Sequence, residues 1–99
     1  GVLTMTEVIA AVSKSLNVDA DTIRRGRGGA ARMLCAWIAC HEGQVRLREI
    51  AASLHLRSTG RVSTLIGTCD RALDRDESLR ACADHSFELL ARRPMVASA

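Results

Sequence analysis

Apolar residues recur along this chain at three- and four-residue spacing, a rhythm that predicts a succession of helices. Met5, Val8, Ile9, Val12 and Leu16 form the first stripe, and Thr4 followed by Glu7 supplies a capping box at its start. A helix is therefore expected over residues 5–16. Asp19 caps a short second helix through Ile23, after which Arg24-Arg25-Gly26-Arg27-Gly28-Gly29 breaks the periodicity. Three glycines among three arginines, with nothing apolar to anchor them, predict an open, mobile cationic loop that orders only on contact. Residues 30–41 are almost all apolar and predict a third helix that forms the buried spine, ended near Gly43. Trp37, amid Leu34, Cys35 and Ile38, is expected in the core, where truncation to alanine costs about 3–5 kcal/mol.

Residues 47–66, LREIAASLHLRSTGRVSTLI, read as two short helices joined by a polar turn, a helix-turn-helix pattern. Leu47, Ile50, Ala51 and Leu54 form the inward stripe of the first, with Arg46, Arg48, Glu49 and Ser53 on the other side. Val62, Leu65, Ile66 and Cys69 form the inward stripe of the second. Its outward positions, Arg61, Ser63, Thr64, Gly67 and Thr68, are small or cationic and present no steric barrier to a major groove. Gly67 costs on the order of 1 kcal/mol relative to alanine inside a helix. Close approach by DNA, close approach by another helix, and simple tolerance all account for it.

Asp76 then caps a last amphipathic helix with Leu79, Cys82, Ala83, Phe87 and Leu90 inward, stopped by Pro94, and residues 94–99 are expected to be a disordered tail. No segment alternates with period two, and there is neither an internal repeat nor a linker. The expectation is an all-α fold of five or six helices around a buried central helix, a single domain over residues 1–99.

At 99 residues and 47% hydrophobic content the chain reads as soluble and long enough for one modest core. Its longest apolar run, residues 33–40, is far below the roughly 20 residues of a membrane span, and no basic-then-apolar signal pattern opens it. A cytoplasmic setting is expected. The basic excess, 14 against 11, is too small to argue for a polyanionic partner by itself. Its distribution is more telling: acids collect at Asp70, Asp74, Asp76, Glu77, Asp84 and Glu88, whereas Arg24, Arg25, Arg27 and Arg32 form a cationic patch with no acid among them. Lys14 is the only lysine. Arginine suits bidentate phosphate and guanine contacts, although genome composition produces the same bias.

Cys35, Cys40, Cys69 and Cys82 show no C-x-x-C spacing and lie in apolar stripes, as core thiols of a reducing compartment would. A metal set of Cys40, His41 and His85 is the sharper alternative, disfavoured because adjacent helical residues point about 100° apart. No cofactor is expected.

The order helix, short helix, basic loop, long buried helix, helix-turn-helix, terminal helix resembles the C-terminal DNA-binding domain of the bacterial replication initiator DnaA, which carries a helix-turn-helix of the Trp-repressor-like kind. The resemblance runs without a gap over residues 17–73. Asn17-Val18-Asp19 resembles the family's short-helix entry, and Ala31-Arg32 with Ala36-Trp37-Ile38-Ala39 its long helix. Leu47-Arg48-Glu49-Ile50 is similar to its leucine-proline-glutamate-isoleucine entry, with Arg48 in place of proline. The turn, one residue longer than in common repressors when counted from His55 to Val62, also fits the family. Related domains are fused behind the catalytic domains of IS200-like transposases, including those associated with repetitive extragenic palindromes, and divergent members of that kind are what the chain looks most like. The reading site departs from the initiators: His55-Leu56-Arg57-Ser58-Thr59-Gly60-Arg61 stands where they carry glycine-glycine-arginine-aspartate-histidine-threonine-threonine. Only Arg57 is retained, so the code that selects the initiator's origin box is absent.

The expected chemistry has two arms. Ser58, Thr59, Arg61, Ser63 and Thr64 sit at or near the start of the recognition helix, where free backbone N–H groups and hydroxyls hold a phosphate and Arg61 reaches a guanine edge; Arg57 contacts a flanking phosphate or base. By the resemblance, Arg24, Arg25 and Arg27 approach the adjacent minor groove or the backbone beside it. Ser58 and Thr59 serve equally as helix caps, and His55 as a turn residue. Catalysis is poorly supported: there is no tyrosine to act as the nucleophile such transposases use, and the three histidines are scattered. The expected partner is double-stranded DNA, with the domain either appended to a mobile-element or replication-type protein or acting alone. The competing expectation is a degenerate helix-turn-helix that holds a protein partner.

Overall fold

A computed structural model describes residues 3–26 and 29–92, and every element among them is helical: α1 (Met5–Leu16), α2 (Ala20–Arg24), α3 (Ala30–His41), α4 (Leu47–Ser53), α5 (Thr59–Arg75) and α6 (Glu77–Ala91). No described helix is long and apolar enough to cross a membrane. Arg27, and the expected stop at Pro94 with the tail after it, lie outside the described residues.

Each boundary has a local cause. Thr4 Oγ1 accepts from the Glu7 backbone N–H at 3.1 Å while the Glu7 carboxylate accepts from the Thr4 N–H at 3.0 Å, which completes the predicted capping box of α1. Asp19 accepts from Asp21 N–H at 3.1 Å to open α2, and Asp76 accepts from Leu79 N–H at 3.1 Å to open α6. Asp76 is also the residue on which α5 ends, so α5 and α6 meet at a one-residue corner. Asp74 lies in the last turn of α5, which continues to Arg75.

α3 is the spine. It packs against α1 on one side and α5 on the other, and α2 and α4 also lie against it. Ala31, Leu34, Cys35, Ala36, Ile38 and Ala39 are buried along it. α6 returns across α1, where the buried Ser86 hydroxyl lies 2.8 Å from both the Cys82 carbonyl and Ser15 Oγ; donating to the first and accepting from the second satisfies it. Sequence periodicity did not mark Ser86 as a core position.

Trp37 corrects the expectation of full burial. It is half-buried, and its helical neighbours Met33 and Cys40 are likewise only partly covered, so it stands on the flank of α3. Its indole N–H donates to Asp70 Oδ1 of α5 at 2.6 Å, and its ring tilts against His41 at 5.0 Å and Phe87 at 6.1 Å between centroids. The amphipathic indole closes the seam between α3, α5 and α6 with its polar edge at the surface.

Candidate nucleic-acid interface

The joint between α4 and α5 spans residues 54–58. Leu54 ends α4, and His55 follows in the left-handed conformation at φ 56. Leu56 N–H donates to the Ala51 carbonyl at 2.8 Å and His55 N–H to that of Ala52 at 3.3 Å, the paired closure by which a helix reverses direction. Glycine is the usual residue at such a position, so His55 holds the turn at a steric cost. Leu56 folds back, half-buried, against the core. Arg57 follows, exposed.

Ser58 then caps α5, its hydroxyl accepting from Arg61 N–H at 3.4 Å. Thr59 is the first helical residue, and Thr64 donates its hydroxyl proton to the Gly60 carbonyl one turn back at 3.1 Å, which leaves its oxygen lone pairs outward. Thr59, Arg61, Ser63 and Thr64 are exposed, while Val62 and Cys69 are buried and Leu65 and Ile66 half-buried. The inward and outward sets follow the predicted stripes except at Gly67, which was expected outward and is half-buried. A side chain added at Gly60 would meet only Ser58 Oγ at 3.6 Å, and one added at Gly67 only Arg71 Nη1 at 3.6 Å. Among the described residues, no other helix comes within 4 Å of a side chain added at either glycine. Ser58, Arg61 and Thr64 converge with Arg32, Leu56, Gly60 and Leu65 around an open hollow of about 430 Å³ at the start of α5.

The other arm divides. Arg25 is exposed just beyond α2, and Arg24 is half-buried, its Nε without a hydrogen-bond partner among the described residues, a cost of about 1–3 kcal/mol for a buried donor. Arg32 does not belong to the surface patch in which its sequence neighbourhood put it. It is 9% exposed, and Nη1 donates to the carbonyls of Ile23 at 2.7 Å and Arg24 at 3.3 Å while Nη2 donates to that of Leu54 at 2.9 Å. Burial lowers its pKa from the usual arginine value, yet a guanidinium starting that high stays charged. One signal of this role was in the sequence: Arg32 precedes Cys35, Ala36 and Ala39 by three, four and seven residues, which is the buried stripe of α3. The structure thus brings Ser58, Arg61 and Thr64 together around one hollow, leaves Arg57, Thr59 and Ser63 exposed beside it, and ties Arg24 to the end of α4 through Arg32.

The cysteines are all free. Burial pushes the Cys35 thiol up to about 12, opposed in part by the Arg32 charge, and pushes Cys69 up to about 11, with Asp70 adding to the rise. Both are protonated at neutral pH and unsuited to nucleophilic work. Cys40, His41 and His85 do not converge, and no group of three or more His, Cys, Asp or Glu able to hold a metal forms among the described residues.

No protein-family model, no curated protein and no solved structure matches this chain.

Proposed function

We propose that this chain binds double-stranded DNA, with the first half of α5 as the reading helix and the end of α2 as a second cationic contact. One observation carries the reading: α5 turns Gly60, Arg61, Ser63 and Thr64 outward from its first two turns, with a half-buried Gly67 about a turn further on, next to an exposed Arg57. Such a face lets a helix approach a base-pair edge closely, with a cation for guanine and hydroxyls for phosphate. On this reading α4, the turn and α5 act as a helix-turn-helix, as in the DnaA-like domains the sequence resembles. Arg24 and Arg25 meet the backbone or minor groove alongside, where a phosphate supplies the partner that Arg24 Nε lacks among the described residues. The residues take no catalytic part, and the chain serves as the DNA-binding portion of a bacterial mobile-element or replication-type protein in the cytoplasm.

A second reading has its own observation. Leu56 and Leu65 line the hollow at the start of α5 together with polar groups, a mixed surface that also suits a protein partner.

Fluorescence anisotropy of a labelled mixed-sequence duplex, titrated at several salt concentrations, separates the two. DNA binding gives micromolar or tighter affinity with log K falling by about 0.9 per phosphate neutralised for each unit of log salt. Absence of binding at low salt overturns the DNA reading and favours the protein partner.

A further inference from the structure

We propose that Arg32 is the positioning residue of this interface: its guanidinium holds the end of α2 and the end of α4 at one separation, so that both cationic arms meet a duplex together. The proposal rests on the DNA reading above.

The geometry is a three-way bridge. Arg32 stands in the first turn of α3, Nη1 bonds the last carbonyls of α2, and Nη2 bonds the carbonyl of Leu54, the residue that ends α4 and leads into the turn bearing Arg57. A side chain added at Gly26 would sit 3.7 Å from Arg32 Cζ, so the start of the basic loop lies against the same guanidinium, and its φ of +92 is one glycine adopts freely. Helix C-termini carry partial negative charge, and two of them face this cation from different elements. Among the described residues its hydrogen-bond acceptors are all backbone carbonyls. Lysine, a single ammonium on one stem, offers no rigid fork with which to bridge the two.

A buried charge is a poor device if stability is the only purpose, since apolar residues of similar volume often do as well or better. What directional bonds add is a fixed spacing. Arg25 lies one residue beyond the first bonded segment and Arg57 three residues beyond the second, so that spacing sets the distance between the arms. Two contacts held at the right distance gain through effective concentration, and that gain is lost when their separation fluctuates.

The test measures duplex binding, helix content and unfolding for the parent, Arg32→Lys and Arg32→Met, together with a cycle of Arg25→Ala, Arg57→Ala and their double variant. In the parent, the double variant is expected to weaken binding by several-fold less than the product of the single effects, because each single change forfeits the shared effective concentration. In a folded Arg32→Lys, affinity is expected to fall about tenfold and the double effect to approach the product. Truncation of a merely structural residue would shift the melting temperature without changing that relation. A folded Arg32→Lys with parental affinity and parental coupling overturns the proposal. So does strict multiplicativity in the parent, a measurement that needs no change at Arg32 and holds even if Arg32→Met fails to fold. A parent that binds no duplex at low salt overturns the DNA reading itself, and is distinguished by failing before any variant is compared.

Discussion

α3 and α5 lie against each other and do opposite things with their residues. α3 buries seven of its 12 residues, and the one arginine among them is held by backbone carbonyls from two other helices. α5 buries only Val62 and Cys69 of its 17 residues and turns its cations, its hydroxyls and Gly60 outward. Both contain arginine; what separates Arg32 from Arg61 is register, since one falls on the stripe facing the core and the other on the stripe facing solvent. Charge in a sequence therefore marks an interface only after helical phase is taken into account. The stability of this protein lies along α3, and the surface of α5 has chemistry to spare for a partner.

The largest test of that contrast is truncation. Leu34→Ala or Ile38→Ala, at fully buried positions of α3, should cost about 2–5 kcal/mol in urea unfolding, whereas Leu65→Ala, half-buried on α5, should cost clearly less. Equal losses would break the comparison. Trp37→Ala should fall between them, below the roughly 3–5 kcal/mol of a fully buried tryptophan, because its indole edge is at the surface.

Alkaline pH probes the same core. Cys35 and Cys69 are raised from the ordinary thiol value of 9.0 to about 12 and about 11, so the folded state keeps protons that the unfolded state releases. Their contribution to stability is complete below pH 9 and is lost as pH rises towards 11–12. Urea midpoints measured from pH 7 to 11 should hold steady and then fall, and a Cys35→Ala, Cys69→Ala variant should lack that part of the decline.

On α5, Arg57→Ala with Arg61→Ala should weaken duplex binding by about tenfold or more while stability moves by no more than about 0.5 kcal/mol, as expected for exposed positions. Parental affinity in the double variant would remove α5 as the reading helix. Gly67→Ala sharpens the same point: it should stabilise the free protein by about 1 kcal/mol, since nothing but Arg71 lies near the added methyl. If DNA passes closely over Gly67, that gain comes with weaker binding; unchanged binding makes the glycine merely tolerated. The smallest effect is at the turn. His55→Gly should stabilise by about 0.5 kcal/mol in a thermal melt, because glycine relieves the left-handed φ of 56 at some cost in unfolded-chain entropy.

Local features were the most legible in this chain. The bounds of α1 and α3, the Thr4–Glu7 box, and the caps Asp19, Ser58 and Asp76 depend on residues within four positions of one another, and periodicity and capping chemistry suffice to read them. The outward set of α5 was legible for the same reason. Gly67 was readable only as an open choice, and among the described residues no other helix comes within 4 Å of a side chain added there, which speaks against close helix approach.

The sequence by itself determined that the chain is helical, where most helices begin, and which stripe of each turns inward. Only the tertiary structure decided that Arg32 is a buried bridge, that Trp37 sits at a seam bonded to Asp70, and that Ser58, Arg61 and Thr64 share one hollow. The reason is physical. A stripe arises from the pitch of a single helix, whereas the partners of Arg32 come from positions 9 and 22 residues away and that of Trp37 from 33, so their identity exists only once the helices have packed.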